Sequence, residues 1–436
     1  MNFILPILLV IVLCIGLYYL KFFRIEGIKK HIFIALFILK LTGGVGVYLV
    51  YTYYYDPEMS DIHKFFTGGE ALYQASEDNF ADYLRVVTGI QAKRPELEKY
   101  YIQTTHWTRQ YDYGLYNDNR TIMRFNAIVF LFSQGNIFVH IIIMAFLSFL
   151  GCFVLFKGLA KMLKTNKYLL LFAAFLVPSC WFWTSGLLKE GLMMFAIGFS
   201  FYFFVRLYEK FNLFYLIGFF ASCGLLFISK IYVLPAFLPA IFFLLICRKM
   251  NIKYQLINFV SILALSAVLV IFSAKIFGYD IISTMSGKQN DFINYISLQE
   301  DPGSTYDLTR LSPNIKSFIS LIPEGLVNSF FRPFPSEVNS PFMLFSFLEI
   351  VMLCFFAVMA IIFFKKPDVA TMRFVLFSAM FVLFLYVVVG VYTPNVGSIV
   401  RYRTPALPFL VAMLFALVDW EKILKLKVVN RFSKIR

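Results

Sequence analysis

Apolar residues recur along the chain in windows of roughly 20, the length at which a helix crosses a bilayer core. Short polar stretches separate them. Eleven windows are legible: Asn2–Leu20, His31–Tyr53, Ile137–Phe156, Tyr168–Trp183, Leu187–Val205, Leu213–Ser229, Tyr232–Cys247, Ile257–Ile276, Phe342–Phe364, Phe374–Tyr392 and Ala406–Leu417. The pattern predicts an all-α, polytopic transmembrane helical bundle forming one integral-membrane domain over 1–436. The first window lacks a basic n-region and a small-residue cleavage site, so it reads as an uncleaved first helix. Two connections are long, 54–136 and 278–341. Neither carries an internal repeat or a low-complexity tract.

Composition narrows the class. Of 436 residues, 60% are hydrophobic and 15% charged, against about 45–50% and about 25% in soluble domains. That excludes a cytosolic enzyme, a disordered chain and a disulfide scaffold. The six cysteines all fall inside the apolar windows with no C-x-x-C pair, so they read as small packing residues. The net charge of +15 would suggest nucleic acid in a soluble protein. Its distribution indicates topology instead. Alternate connections, with the tail, hold 22 of the Lys and Arg residues and only five acids; the opposite connections hold 17 and 19. Basic loops stay cytoplasmic, so the N-terminus is expected outside, the C-terminus inside and both long loops outside. No nucleic-acid partner is needed. Nucleotide sugars and ATP are absent at the outer face, so an enzyme there takes its donor from the lipid.

The first long loop opens with Asp56, Glu58 and Asp61 directly after the tyrosines Tyr51, Tyr53, Tyr54 and Tyr55, an aromatic belt at the interface. These acids read either as a solvated loop start or as general bases for a sugar hydroxyl. Two or three together also have the oxygen chemistry for Mg or Mn. His63 and His106 lack metal-ligand spacing, and no metal residue is assigned. Ser60–Leu72 suits an amphipathic helix capped by Ser60, with Phe65, Phe66, Leu72 and Tyr73 towards the membrane. Later aromatics of the loop (Tyr83, Tyr100, Tyr101, Trp107, Tyr111, Tyr113, Tyr116) serve either as interfacial anchors or as sugar-stacking faces.

Basic residues at external turns run against the charge bias. Lys189 and Glu190 open a helix after a tight turn, Lys230 sits between two further spans, and Arg401 and Arg403 precede the last. Each is either a snorkelling anchor or a phosphate ligand, and one lipid-linked phosphate would account for all of them. Arg332 and Glu337, within Phe331-Arg332-Pro333-Phe334-Pro335-Ser336-Glu337, form either a phosphate site or an Arg–Glu clamp. Lys40 and Glu349 fall inside spans, where charge is costly and usually functional. They are expected to pair with each other or to line a cavity.

Ser60-Asp61-Ile62-His63-Lys64-Phe65, in a large first external loop, resembles the Asp-x-x-x-aromatic segment of GT-C membrane glycosyltransferases. Pro178–Glu190, Phe331–Glu337 and Arg401–Pro408 are similar to segments of a GT-C-like group associated with bacterial surface polysaccharides. The similarity is scattered over about residues 56–408. The resemblance implies transfer of a sugar from a polyprenyl-phosphate donor to a glycan, lipid or protein acceptor at the outer face of the bacterial inner membrane. Asp61 would take the acceptor's proton by position; Lys189, Lys230, Arg401 and Arg403 are phosphate candidates from the residues themselves. Relatives often place two adjacent acids where this chain has Asp61-Ile62, and the first helix here precedes their usual core. The rival expectations are a repeat-unit polymerase or ligase acting through Arg, His or Glu, and a flippase for a lipid-linked glycan.

Overall fold

The computed structural model describes residues 3–56, 60–108, 113–298 and 303–425. Among these residues the chain is helical with no strand. A helix occupies part or most of each of the eleven apolar windows, and seven helices are long and apolar enough to cross a membrane. The protein is a membrane protein. Those seven are Lys30–Tyr54, Ile137–Met162, Lys189–Glu209, Ile252–Ile271, Pro341–Ile362, Val369–Tyr392 and Val396–Ala416. Ile4–Tyr19 and Leu213–Ser229 are apolar but shorter. Polar residues set the helix starts: Asn212, Asn251, Ser340 and Asp368 each accept a hydrogen bond from a first-turn N–H, satisfying groups that the helix itself leaves open.

The fourth window departs from its expectation. A continuous helix was expected over Tyr168–Trp183. The chain instead forms Lys167–Leu171, a wider turn at Phe172–Leu176, an extended Val177 and a new helix Pro178–Trp183. Pro178 has no N–H to continue the ladder and pushes Val177 out of the helical region.

The chain's contacts gather into two compact units, each discontinuous in sequence. The first comprises Met1–Leu155, Cys180–Phe203 and Asn212–Ile231; the second comprises Phe156–Ser179, Phe204–Phe211 and Tyr232–Arg436.

In the first unit the long loop after Lys30–Tyr54 is folded, chiefly around helix α1 (Asp61–Tyr73) and helix α2 (Asn119–Ser133). Gly69 brings them together: a Cβ there would overlap the side chain of Asn126. Ile62, Phe65, Leu72, Tyr83, Tyr100, Trp107, Ile122 and Met123 form one core with Val47, Leu187 and Leu188. This corrects two expectations. Phe65 and Leu72 bury in the unit's own core instead of facing lipid, and Tyr83, Tyr100 and Trp107 hold the loop together; their burial removes them as anchors or sugar platforms. Tyr111 lies outside the described residues. The turn Thr184–Leu188 is buried as well, so the hairpin tip that carries Lys189 lies beneath the folded loop.

In the second unit, helices Ile315–Phe331 and Val369–Tyr392 cross where Gly325 meets Gly390. A Cβ on Gly390 would overlap the Gly325 carbonyl.

Candidate functional site

The structure sorts the candidate residues into two groups, one in each unit. Asp61, Lys189, Glu190 and Lys230 belong to the first; Arg332, Glu337, Arg401 and Arg403 belong to the second. Asp56 is exposed at the end of the helical segment that follows Lys30. Glu58 lies outside the described residues.

Asp61 is the first residue of α1, where a carboxylate meets the positive end of the helix dipole. The expected Ser60 cap is not made: Ser60 is buried and its hydroxyl bonds to no first-turn N–H. Asp61 is half-buried and within electrostatic reach of both Lys189 and His106. Lys189 opens the helix Lys189–Glu209. Its Nζ lies 3.0 Å from Asp118 Oδ2 and donates to Asn119 Oδ1 at 2.7 Å. It also stands 5.6 Å from the centre of the Phe65 ring. The next residue, Glu190, is wholly buried and receives Lys230 Nζ at 3.2 Å. Lys230 ends the helix Leu213–Ser229 and is itself within reach of the Lys189 charge.

Four separate chain segments thus deliver three acids and two lysines to one place: Asp61, Asp118, Lys189–Glu190 and Lys230. His106 borders the group, 6.5 Å from Phe65 between ring centres. Burial, helped by the Lys64 ammonium, lowers its pKa below the ordinary 6.5, against the pull of Asp61. Sequence reasoning missed Asp118 and Asn119, and considered His106 only as a metal ligand. Asp118 stands immediately before the helical run Asn119–Ser133 and Asn119 opens it, a helix-start signature that could have marked both.

The second group is built differently. Glu349 accepts from the backbone N–H and hydroxyl of Ser179, at 2.6 and 2.9 Å, and from Arg403 Nη2 at 3.1 Å. Arg403 Nη1 donates to the carbonyls of Ser329 and Arg332. Glu349 and Arg403 have no exposed side-chain surface. Arg332 pairs with Glu337 and stacks 3.7 Å from the centre of the Tyr306 ring. Its Nε donates to Asn328. The Arg–Glu clamp is therefore present. Burial raises the Tyr306 hydroxyl pKa above its ordinary value. Arg401 is half-buried on the short helix Val396–Tyr402.

The two intramembrane charges each find partners inside their own unit. Glu349 holds Arg403 and Ser179. Lys40 Nζ donates to Ser148 Oγ (3.0 Å), the Cys180 carbonyl (2.9 Å) and Thr184 Oγ1 (2.6 Å). Pairing with Glu349 and lining a cavity were its two expected settings. Small hydroxyls hold it instead because Ser148 and Thr184 also bond each other at 2.8 Å, giving the ammonium a ready-made ring of acceptors.

Among the described residues no group of three His, Cys, Asp or Glu side chains is placed to hold a metal ion. Asp118 and Glu190 each already hold a lysine. Those two acids are therefore committed to lysines; the Asp56–Glu58–Asp61 set expected to suit Mg or Mn includes Glu58, which lies outside the described residues. No family model, curated protein or solved structure matches this chain.

Proposed function

We propose that the chain is a membrane glycosyltransferase of the GT-C type, with eleven spans, its N-terminus outside and its C-terminus in the cytoplasm. It moves a sugar from a polyprenyl-phosphate donor to a glycan, lipid or protein acceptor at the extracytoplasmic face of a bacterial inner membrane. The observation that carries this reading is Asp61 within electrostatic reach of Lys189, which in turn lies within reach of the Lys230 charge. An acceptor hydroxyl next to Asp61 gives its proton to the carboxylate and attacks the anomeric carbon, while the bond to the phosphate oxygen breaks. Lys189 and Lys230 balance the charge that develops on the departing phosphate. Asp118, Asn119 and Glu190 hold the ammoniums in fixed positions, so little reorganisation is needed when that charge appears.

The test is transfer from a polyprenyl-phosphate-linked sugar by the purified protein. Asp61→Asn should lower the rate by roughly a hundredfold to ten-thousandfold. Full transfer by that variant would end the assignment. Arg332, flanked by Tyr306 and Phe334 and partly exposed, supports a second reading as a polymerase or ligase of lipid-diphosphate-linked repeats. Under that reading Arg332→Ala abolishes product and Asp61→Asn is mild. A protein that moved labelled lipid-linked glycan across vesicles without forming a glycosidic bond would be the flippase instead.

A further inference from the structure

The first unit contains a cavity of about 350 Å³ on the other flank of α1 from Asp61. At about 100° per residue, Phe65 lies roughly 40° round the helix from Asp61, whereas His63 and Phe66 lie about 200° and about 140° away. His63 and Phe66 form one wall. Leu5 of the first helix (Ile4–Tyr19), Tyr48 of the helix Lys30–Leu49 and the turn that ends at Ile137 form the others. None of these residues takes part in the Asp61–Lys189–Lys230 cluster.

The lining is apolar apart from the turn's polar groups and one imidazole. That imidazole is fixed by a 3.0 Å hydrogen bond between His63 Nε2 and Thr52 Oγ1. Burial lowers the His63 pKa below 6.5, so no charge opposes an apolar occupant at neutral pH. The surroundings point to hydrocarbon. Leu5 is flanked along the first helix by the exposed Ile4 and Leu8, and the turn follows the exposed Leu131 and Phe132 of α2. Past Tyr48, Leu49 and Tyr53 are exposed as well. Exposed aliphatic and aromatic side chains beside three of the cavity's walls are what a bilayer covers. A concave apolar space of this size with a few polar groups also fits a bound small ligand.

We propose that this cavity holds one hydrocarbon chain of a membrane phospholipid, with His63 as a polar contact for its ester region. The site does not rest on the transferase reading.

The full-length protein in phosphatidylethanolamine/phosphatidylglycerol vesicles, without any sugar donor, would be exposed to phosphatidylethanolamine carrying a diazirine in one acyl chain. After irradiation, labelled peptides would be mapped. Labels on Tyr48, Phe66 and Ile137 are expected, and the same labels in Asp61→Asn. Leu5→Trp narrows the cavity from the half-exposed first helix, where the fold has little to lose. That variant should lose at least about tenfold of the labelling inside the cavity while keeping the labels on Ile4, Leu8 and Phe132. Labels confined to those exposed residues, or cavity labels unchanged in a Leu5→Trp protein that melts at the wild-type temperature, would overturn the site. So would displacement of the label by free N-acetylglucosamine, which would make the occupant a sugar.

Discussion

The acid–base clusters of the two units solve the same problem in opposite ways. In the second unit Glu349 and Arg403 are sealed from water; Ser179 and two carbonyls bond the carboxylate and the guanidinium Nη1, and Arg403 Nε is left buried without a partner. The cost of desolvating two charges is repaid only by close pairing and added hydrogen bonds, so neither member of such a pair can be removed alone without a large loss. In the first unit the Lys189–Asp118 pair keeps part of its surface, and Asp61 stands half-buried beside it. A charge that still meets solvent can meet a substrate. By that criterion Glu349–Arg403 is scaffolding and the Asp61–Lys189–Asp118 edge is the accessible part of the first cluster, with the buried Lys230–Glu190 pair behind it. The same criterion makes Arg403, a phosphate candidate from its position before the last span, a residue committed to its own chain.

Breaking the sealed pair should have the largest effect. Glu349→Ala leaves Arg403 buried without its counter-charge, and removing one partner of such a pair costs about 3–5 kcal/mol. The expected readout is a large fall in melting temperature in detergent, with little folded protein recovered. A double change, Glu349→Ala with Arg403→Met, should regain most of that loss, because no uncompensated charge remains. If the single variant melts like the wild type, the pair is not the scaffold that its burial implies.

Lys189→Met addresses the other side. It leaves Asp118, whose side chain is 17% exposed, with water as an alternative partner, so the stability cost should be nearer the low end of roughly 1–3 kcal/mol. The transfer rate should fall about a hundredfold. A variant that loses stability as badly as Glu349→Ala would make the two clusters alike.

Much of the fold was legible in the sequence because a helix that crosses a bilayer must be long and apolar, and hydropathy reports such helices directly. The positions of Ile137–Met162 and Val369–Tyr392 follow from that alone. What hydropathy cannot show is the inside of a folded loop. Phe65, Leu72 and Trp107 look like membrane-facing residues by type, yet they close a core of their own, because a loop of this length buries apolar surface on itself as readily as against lipid. The site was half legible. Asp61, Lys189, Glu190 and Lys230 stand out by breaking the charge pattern, but which carboxylate holds which lysine depends on packing between segments about 40 to 130 residues apart. The pairing of Asp118 with Lys189 was invisible for that reason, and so was the hydroxyl ring around Lys40.

That ring gives a smaller test. Lys40→Met removes a charge and leaves no opposite charge behind, since Ser148 and Thr184 retain each other and Thr184 retains the Cys180 carbonyl. Replacing an ammonium held by neutral groups with an apolar chain of similar length should change stability by less than about 1.5 kcal/mol, the scale of a typical net hydrogen bond. A loss comparable to that of Glu349→Ala would mean that Lys40 has a role its neighbours do not reveal.

The smallest effect should come from His106, and it separates the two units by pH. Its folded-state pKa is lowered by burial and by Lys64, while the unfolded chain titrates near 6.5. Between the lowered value and 6.5 the unfolded state binds more protons, so stability rises with pH through that window. The contribution is complete above about pH 6.5 and is lost as the pH falls towards the folded-state value. His106→Gln should remove at most one proton's worth of slope from the melting temperature between pH 7 and 5. The Glu349–Arg403 pair, sealed in the second unit, should leave that difference untouched. A slope that survives in His106→Gln would assign the titration to another group. A slope of opposite sign would mean that Asp61 outweighs burial and holds the imidazole protonated, which would change the charge available beside Lys189.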